Sequence, residues 1–203
     1  FLERRARRLL PALLLVSVAI LPFAWTIFPP KQLLTFSDSL LSVVSFSSNI
    51  FFWREHNYFN TLSSLKPLLH TWSLSVEWQF YFLFSIFVLF YNKIKVKYFI
   101  SIIIIFFILS FIFAEWTYYY YSTAGFYLIF SRGFEIIAGI LLAFYSNNKK
   151  NRLSNNHVAA FLSLLGLVIV VSSIFLFDES IASPNHFNLL TVIGVILILY
   201  FTI

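Results

Sequence analysis

The chain has 203 residues, of which 60% are hydrophobic and only 11% are charged, and its net charge is +6. A soluble domain of this size does not need so much apolar surface, so the composition predicts an integral membrane protein. The basic residues stand in short clusters between apolar runs, where they orient membrane helices, so the positive charge does not indicate a nucleic-acid partner. There is no cysteine, and the four histidines lack metal-ligand spacing, so we expect no disulfide and no metal site.

Both ends of the chain bear on its domain organisation. There is no methionine, and the last apolar run, 189–203, is shorter than the roughly 20 residues of a comfortable membrane span. We therefore expect residues 1–203 to be part of a single integral membrane domain that is truncated at both ends.

A run of arginines opens the chain: Arg4, Arg5, Arg7 and Arg8 stand directly before an apolar span from about Leu9 to Phe28. Such a run keeps its end of the span on the cytoplasmic side. An arginine guanidinium also binds phosphate oxygens through two parallel hydrogen bonds. The same side chains are therefore candidates for binding a nucleotide-bearing donor at the membrane edge. The sequence leaves both roles open.

The segment from about Leu33 to Phe52 is apolar but diluted by serines, and charge counting decides whether it crosses. If it does not cross, only Lys31, Arg54 and Lys66 lie outside. The cytoplasmic side then holds ten basic residues: Arg4, Arg5, Arg7, Arg8, Lys93, Lys95, Lys97, Lys149, Lys150 and Arg152. If it crosses, every later loop changes sides and this asymmetry disappears. The positive-inside rule therefore predicts a re-entrant or interfacial segment that opens outward.

We predict one membrane helix from Pro67 to Tyr91, because proline is favoured at the first position of a helix and the rest of this segment contains no glycine or proline. His70, Ser73, Glu77 and Tyr81 are three or four residues apart and form one polar stripe. Glu77 lies about 15 Å from the start of this helix, near mid-membrane, where an ionisable residue costs roughly 3 kcal/mol. The stripe either fixes helix packing or forms a site in which His70 and Glu77 handle protons or hold a substrate.

A further predicted span, from Phe126 to Tyr145, contains Arg132 and Glu135. These two residues can pair with each other at their helical spacing. Arg132 can instead reach Glu77, and we favour this reading, because separated carboxylates with one arginine suggest an assembled site.

The remaining predicted spans, 98–113, 158–177 and 189–203, are simple apolar runs. With one re-entrant or interfacial segment they give an all-α, polytopic transmembrane bundle of about six spans. Gly133 and Gly139 would let a neighbouring helix approach closely.

Four sequence blocks carry a resemblance to a known family. In chain order they are FLERRARRLLPAL, NIFFWREHNYF, PLLHTWSLSVEWQFY and FSRGFEIIAGILLA. The chain resembles the acyltransferase 3 family, the bacterial membrane-bound O-acyltransferases of cell-surface polysaccharides. Four blocks in the family's order are more specific than one short motif.

The resemblance implies transfer of an acyl group, often acetyl from acetyl-CoA, to a hydroxyl of a cell-envelope polysaccharide or lipid-linked saccharide. It implies a multi-pass protein of the bacterial inner membrane, with the four arginines at the acyl-CoA donor and no permanently bound cofactor. His70 and Glu77 would be catalytic, with Ser73, Tyr81, Arg132 and Glu135 binding substrate. The family's catalytic histidine is expected in a span before Phe1, so residues 1–203 alone are expected to be inactive.

Two other functions fit the same residues. Membrane-embedded Glu77, Arg132 and Glu135 could form the proton relay of a transporter or flippase for an envelope saccharide precursor. A scaffold for other envelope enzymes would need no chemistry at these positions. Transport predicts substrate movement without consumption of acyl-CoA, and a scaffold predicts that variants of the polar stripe keep full biological effect.

The predicted topology can be tested by cysteine labelling. In this cysteine-free chain, a membrane-impermeant reagent added from outside should label Asn57→Cys but not Lys95→Cys. The reverse pattern would overturn the charge argument.

Overall fold

The computed structural model describes residues 2–58, 66–91, 94–146, 156–176 and 183–202. Within these ranges the regular structure is entirely helical. The order is α1 (Leu2–Ile27), α2 (Pro30–Val44), α3 (Ser48–Tyr58), α4 (Thr71–Leu89), α5 (Val96–Tyr120), α6 (Ser122–Tyr127), α7 (Ile129–Ser146), α8 (Asn156–Leu176) and α9 (His186–Thr202). A helix satisfies its backbone hydrogen bonds within one segment, as an apolar bilayer requires. The predicted all-α fold is confirmed.

Five of these helices, α1, α4, α5, α7 and α8, are long and apolar enough to cross a membrane. Helix α9 is also apolar but has only 17 residues. The six helices match the six predicted spans in order, and they describe a multi-pass membrane protein. How many of them cross the bilayer stays a prediction.

Prolines mark both the interior and the end of α1. The helix continues through Pro11 and Pro22, which membrane helices tolerate because neighbouring groups satisfy the freed backbone. It ends before Pro29, and Pro30 begins α2, where its missing donor has no cost. The arginines near residue 5 therefore belong to the first turns of a continuous helix.

A tight turn divides the predicted re-entrant segment into α2 and α3. Phe46 lies in this turn with φ of 53°, a left-handed conformation that costs a residue with a Cβ roughly 1–2 kcal/mol. Its ring stacks on Trp78 at a centroid distance of 4.6 Å, and its carbonyl accepts a hydrogen bond from Gln79 Nε2 at 2.8 Å. Helices of 15 and 11 residues are too short to cross, so a helical hairpin occupies this segment. Its depth in the membrane stays a prediction.

Helix α4 begins at Thr71, four residues later than predicted. The amides of Leu69 and Thr71 donate to the carbonyls of Lys66 and Leu68, three residues back, at 3.1 and 3.0 Å. This spacing is tighter than the α-helical one. His70 is consequently the N-cap residue of α4 and not an interior helical residue.

The chain forms two compact units. The first contains residues 1–93 together with Tyr127–Ile129, and the second contains Ile94–Phe126 and the residues from Phe130 onward. Buried Phe52 and Leu68 belong to the core of the first unit, and buried Phe99 and Phe134 to that of the second. Helix α5 has a buried and an exposed face, because Phe99 is fully buried while Ile105 and Phe106 are exposed.

Glycines lie at close helix contacts in the second unit. A Cβ on Gly166 of α8 would lie 2.6 Å from the carbonyl oxygen of Gly194 on α9. A Cβ on Gly133 would lie 2.9 Å from Ser110 Oγ of α5, so the predicted close approach at Gly133 is confirmed. The same prediction for Gly139 is wrong for the described part of the chain, where no atom of another helix lies within 4 Å of its Cβ position.

Replacing Gly166 by alanine should weaken the α8–α9 contact, because the new methyl group meets backbone that cannot rotate away. We expect Gly166→Ala to lower stability by about 1–3 kcal/mol, measured as the midpoint of thermal unfolding in detergent. Gly139→Ala is the matched control: it fills open space and should be neutral or raise stability by up to about 1 kcal/mol. Equal midpoints for the two variants would contradict the close helix crossing.

Candidate active site

Helix α4 carries polar side chains on two roughly opposite faces, as the helical period of its residues shows. The first face is the predicted stripe, consisting of His70, Ser73, Glu77 and Tyr81. The second face consists of Thr71, Ser75 and Gln79, spaced four residues apart. The two faces have different partners.

The second face hydrogen-bonds α4 to α3. Ser75 Oγ lies 2.7 Å from Ser48 Oγ, which also accepts a hydrogen bond from Thr71 Oγ1 at 3.1 Å. One turn further, the amides of Gln79 and Asn49 bond reciprocally, with Nε2 to Oδ1 at 2.9 Å and Nδ2 to Oε1 at 3.3 Å. Ser48, Asn49 and Ser75 are buried, so these bonds are shielded from solvent. We name this set the α3–α4 polar contact; it packs the helices, a role that sequence reasoning had considered for the other face.

The same contact includes Tyr127, the last residue of α6, which belongs to the first unit. Asn49 Nδ2 also donates to the carbonyl oxygen of Tyr127 at 3.1 Å. The Tyr127 ring packs edge-on against Trp72 of α4, with centroids 5.6 Å apart. Asn49 is therefore shared between two elements of the first unit, which no local sequence signal indicates.

The stripe connects to the arginines of α1. The Tyr81 hydroxyl donates a short hydrogen bond to Glu77 Oε1, and both side chains are half-buried. The Arg5 guanidinium lies over the Tyr81 ring, 4.8 Å from its centroid, in cation–π geometry. Arg5, Tyr81 and Glu77 thus form a continuous series of contacts, which joins two predicted sites that the sequence had left separate.

The other arginines of α1 are more open. Arg7 pairs with Glu3 at 2.7 Å, but both side chains are more than three-quarters exposed, and such a pair stabilises little. Arg4 and Arg8 are exposed as well. Their guanidinium groups can therefore reach a charged ligand without first breaking a buried contact.

His70 lies at the exposed end of the stripe. Its carbonyl oxygen accepts a hydrogen bond from Ser73 Oγ at 3.2 Å, and no described residue bonds to its imidazole. Seven residues separate His70 from Glu77, which is about 10 Å along a helix axis.

A second charged cluster lies within the second unit. Arg132 Nη1 is 3.5 Å from Glu135 Oε1, which also accepts a hydrogen bond from Asn188 Nδ2 at 3.5 Å. The three residues line a cavity of about 330 Å³ between α7 and α9. The internal pairing of Arg132 with Glu135 is thus present, while a contact of Arg132 with Glu77 stays a prediction. Sequence reasoning missed Asn188, because it is 53 residues from Glu135.

The described part of the chain contains no group of three or more His, Cys, Asp or Glu side chains that could hold a metal ion.

Comparison with known proteins identifies the family. The acyltransferase 3 family model, described as an acyltransferase domain, matches residues 1–203. The chain belongs to the acyltransferase 3 family. An uncharacterized protein of Haemophilus influenzae is 30% identical over 189 residues, which cover 90% of this chain and 77% of that protein.

Two other relatives of this acyltransferase carry functional names. The O-acetyltransferase OatA of Staphylococcus aureus is 34% identical over 91 residues, covering 44% of this chain and 15% of OatA. The putative peptidoglycan O-acetyltransferase YrhL of Bacillus subtilis is 34% identical over 89 residues, covering 43% of this chain and 14% of YrhL. No solved structure matches the chain.

Removing Gln79 should destabilise the first unit. Gln79→Leu leaves the Phe46 carbonyl without this amide donor and the Asn49 side chain without its reciprocal partner. A buried polar group left unsatisfied costs about 1–3 kcal/mol, so the thermal unfolding midpoint should fall. Ser73→Ala is the control on the opposite face, where the hydroxyl bonds only its own helix. A midpoint for Gln79→Leu as high as that of Ser73→Ala would contradict the packing role of the polar contact.

Proposed function

We propose that this acyltransferase moves an acyl group, most simply acetyl, from acyl-CoA to a hydroxyl of a cell-envelope polysaccharide or lipid-linked saccharide. The enzyme acts in the bacterial inner membrane and uses acyl-CoA as a substrate, with no permanently bound cofactor. Membership of the family and the O-acetyltransferase names of its relatives support the reaction. The series of contacts from Arg5 through Tyr81 to Glu77 supports the use of these residues.

The reaction is an ester-forming acyl transfer. The acceptor oxygen forms a bond to the acyl carbon, the thioester carbon–sulfur bond breaks, and the hydroxyl proton passes through a base to the departing CoA thiolate. Such a step needs a base near the acceptor and positive charge near the developing oxyanion or the donor phosphates.

The arginines of α1 form the donor end in this proposal. Arg4, Arg7 and Arg8 are exposed at the predicted cytoplasmic edge, where acyl-CoA arrives. A guanidinium binds phosphate oxygens in a fork and keeps its charge at any physiological pH. Arg5 is held back over Tyr81, so it lies between these phosphate-binding groups and the membrane-embedded carboxylate.

The other end of α4 faces the acceptor. His70 and Glu77 position and polarise the acceptor hydroxyl, with Ser73 and Tyr81 lining the same face. Tyr81 donates to Glu77 and thereby fixes the orientation of the carboxylate. In this proposal Arg132 and Glu135 also bind substrate, through the cavity that they line in the second unit.

The proposal is tested by Glu77→Gln in the complete enzyme, which keeps the shape of the side chain but removes its charge. We expect acceptor O-acylation at matched expression to fall by at least about 100-fold, the usual size of a lost acid–base group. The measurement is acceptor-dependent release of free CoA together with ester formation. A transporter would move saccharide without either product.

Asp38→Asn is the control for Glu77→Gln, because it removes an exposed carboxylate of the same unit. It should keep wild-type turnover. Wild-type product from Glu77→Gln would remove Glu77 from the mechanism.

A further inference from the structure

We infer that a cavity beside the start of α4 binds a saccharide unit carrying an anionic group, a carboxylate or a phosphate. The cavity has a volume of about 320 Å³ and lies wholly within the first unit, between α2, α3 and the turn before α4. This volume is at the lower end for small-molecule sites. None of the residues already assigned to the active site lines it.

A buried ion pair forms part of the cavity wall. The Glu55 side chain is only 8% exposed, and its Oε2 lies 3.1 Å from Lys66 Nζ, so its charge is compensated. Because a carboxylate has roughly four acceptor sites, Glu55 can still accept a hydrogen bond from a sugar hydroxyl. The side chains of Gln32 and Thr35 line the same cavity and offer further donors and acceptors.

The charges of the cavity favour an anion. Among its described lining residues, Lys31 and Lys66 are positively charged and Glu55 alone is negatively charged, so one positive charge is in excess. Lys31 is exposed, and no described carboxylate pairs with it. The first turn of α2 also lies here, where the helix end adds partial positive charge to the Lys31 ammonium.

The remaining wall is apolar and aromatic. Phe28 and Phe36 meet edge-on with centroids 5.9 Å apart, and Phe52 is fully buried beside them. A bare inorganic ion would leave this wall unused, whereas the carbon–hydrogen faces of a sugar ring would cover it. Aromatic walls with a few placed polar groups are typical of small-molecule sites.

The position of the cavity connects it to the proposed reaction. Lys66, Pro67 and Leu68 line it, and His70 follows two residues later. Lys31 and Lys66 lie on the extracytoplasmic side in the predicted topology. The identification of the ligand as the acyl acceptor rests on the proposed function, but binding of the saccharide does not.

The test compares three variants of the complete enzyme in nanodiscs: Lys31→Gln, Lys31→Arg and Arg54→Gln. Arg54→Gln is the matched control, because it removes an exposed positive charge from α3 that does not line the cavity. Binding is measured calorimetrically, without acyl-CoA, for a uronic-acid disaccharide, a disaccharide phosphate and the corresponding neutral disaccharide.

We expect Lys31→Gln to weaken binding of an anionic probe by about tenfold, as for one lost charge-assisted hydrogen bond, and to leave the neutral probe unchanged. Lys31→Arg and Arg54→Gln should bind like the wild type. The anionic probe whose binding is weakened shows whether the cavity recognises a sugar carboxylate or a phosphate. The inference is overturned if Lys31→Gln equals Arg54→Gln, or if the neutral probe binds as tightly as both anionic ones. Selective binding without any acyl transfer would instead contradict the proposed function alone.

Discussion

The buried hydrogen bonds between α3 and α4 are the constraint on which the first unit depends. In a bilayer, apolar contacts alone do little to fix how one helix faces another, because lipid tails are as apolar as the side chains. The reciprocal amide pair of Asn49 and Gln79 and the hydroxyl pair of Ser48 and Ser75 select one rotation of α4. That rotation turns Glu77 and Tyr81 away from α3, toward the other face of the helix.

The orientation of α4 has a functional consequence. A carboxylate in a membrane helix is costly and is normally compensated by its surroundings. Glu135 has an arginine within one helical turn. The Glu77 carboxylate instead accepts a hydrogen bond from the Tyr81 hydroxyl, and the Arg5 guanidinium lies over the Tyr81 ring. Glu77 is thus stabilised without being neutralised by a direct ion pair among the described residues. Glu77 therefore differs from Glu135 in its electrostatic surroundings, which supports the role proposed for it.

The hairpin of α2 and α3 relates the same contacts to binding. Phe46 holds a left-handed conformation without being glycine, and its ring and carbonyl are both engaged by α4. The turn between the two helices is therefore held by α4. The other end of this hairpin presents the start of α2 and Glu55 to the cavity beside the α4 turn. One short helical hairpin thus connects the packing of the unit with its proposed acceptor side.

The sequence by itself determined the membrane class, the order of the long helices and the family, because hydropathy and block order are properties of the chain. It also placed Glu77 and Tyr81 on one face, because helical spacing depends on nothing beyond the helix. It could not show that Arg5 reaches Tyr81, that Gln79 carries the packing, or that Asn188 joins Glu135. Those contacts join residues 30 to 76 positions apart in the chain, and only tertiary packing decides which distant side chains meet.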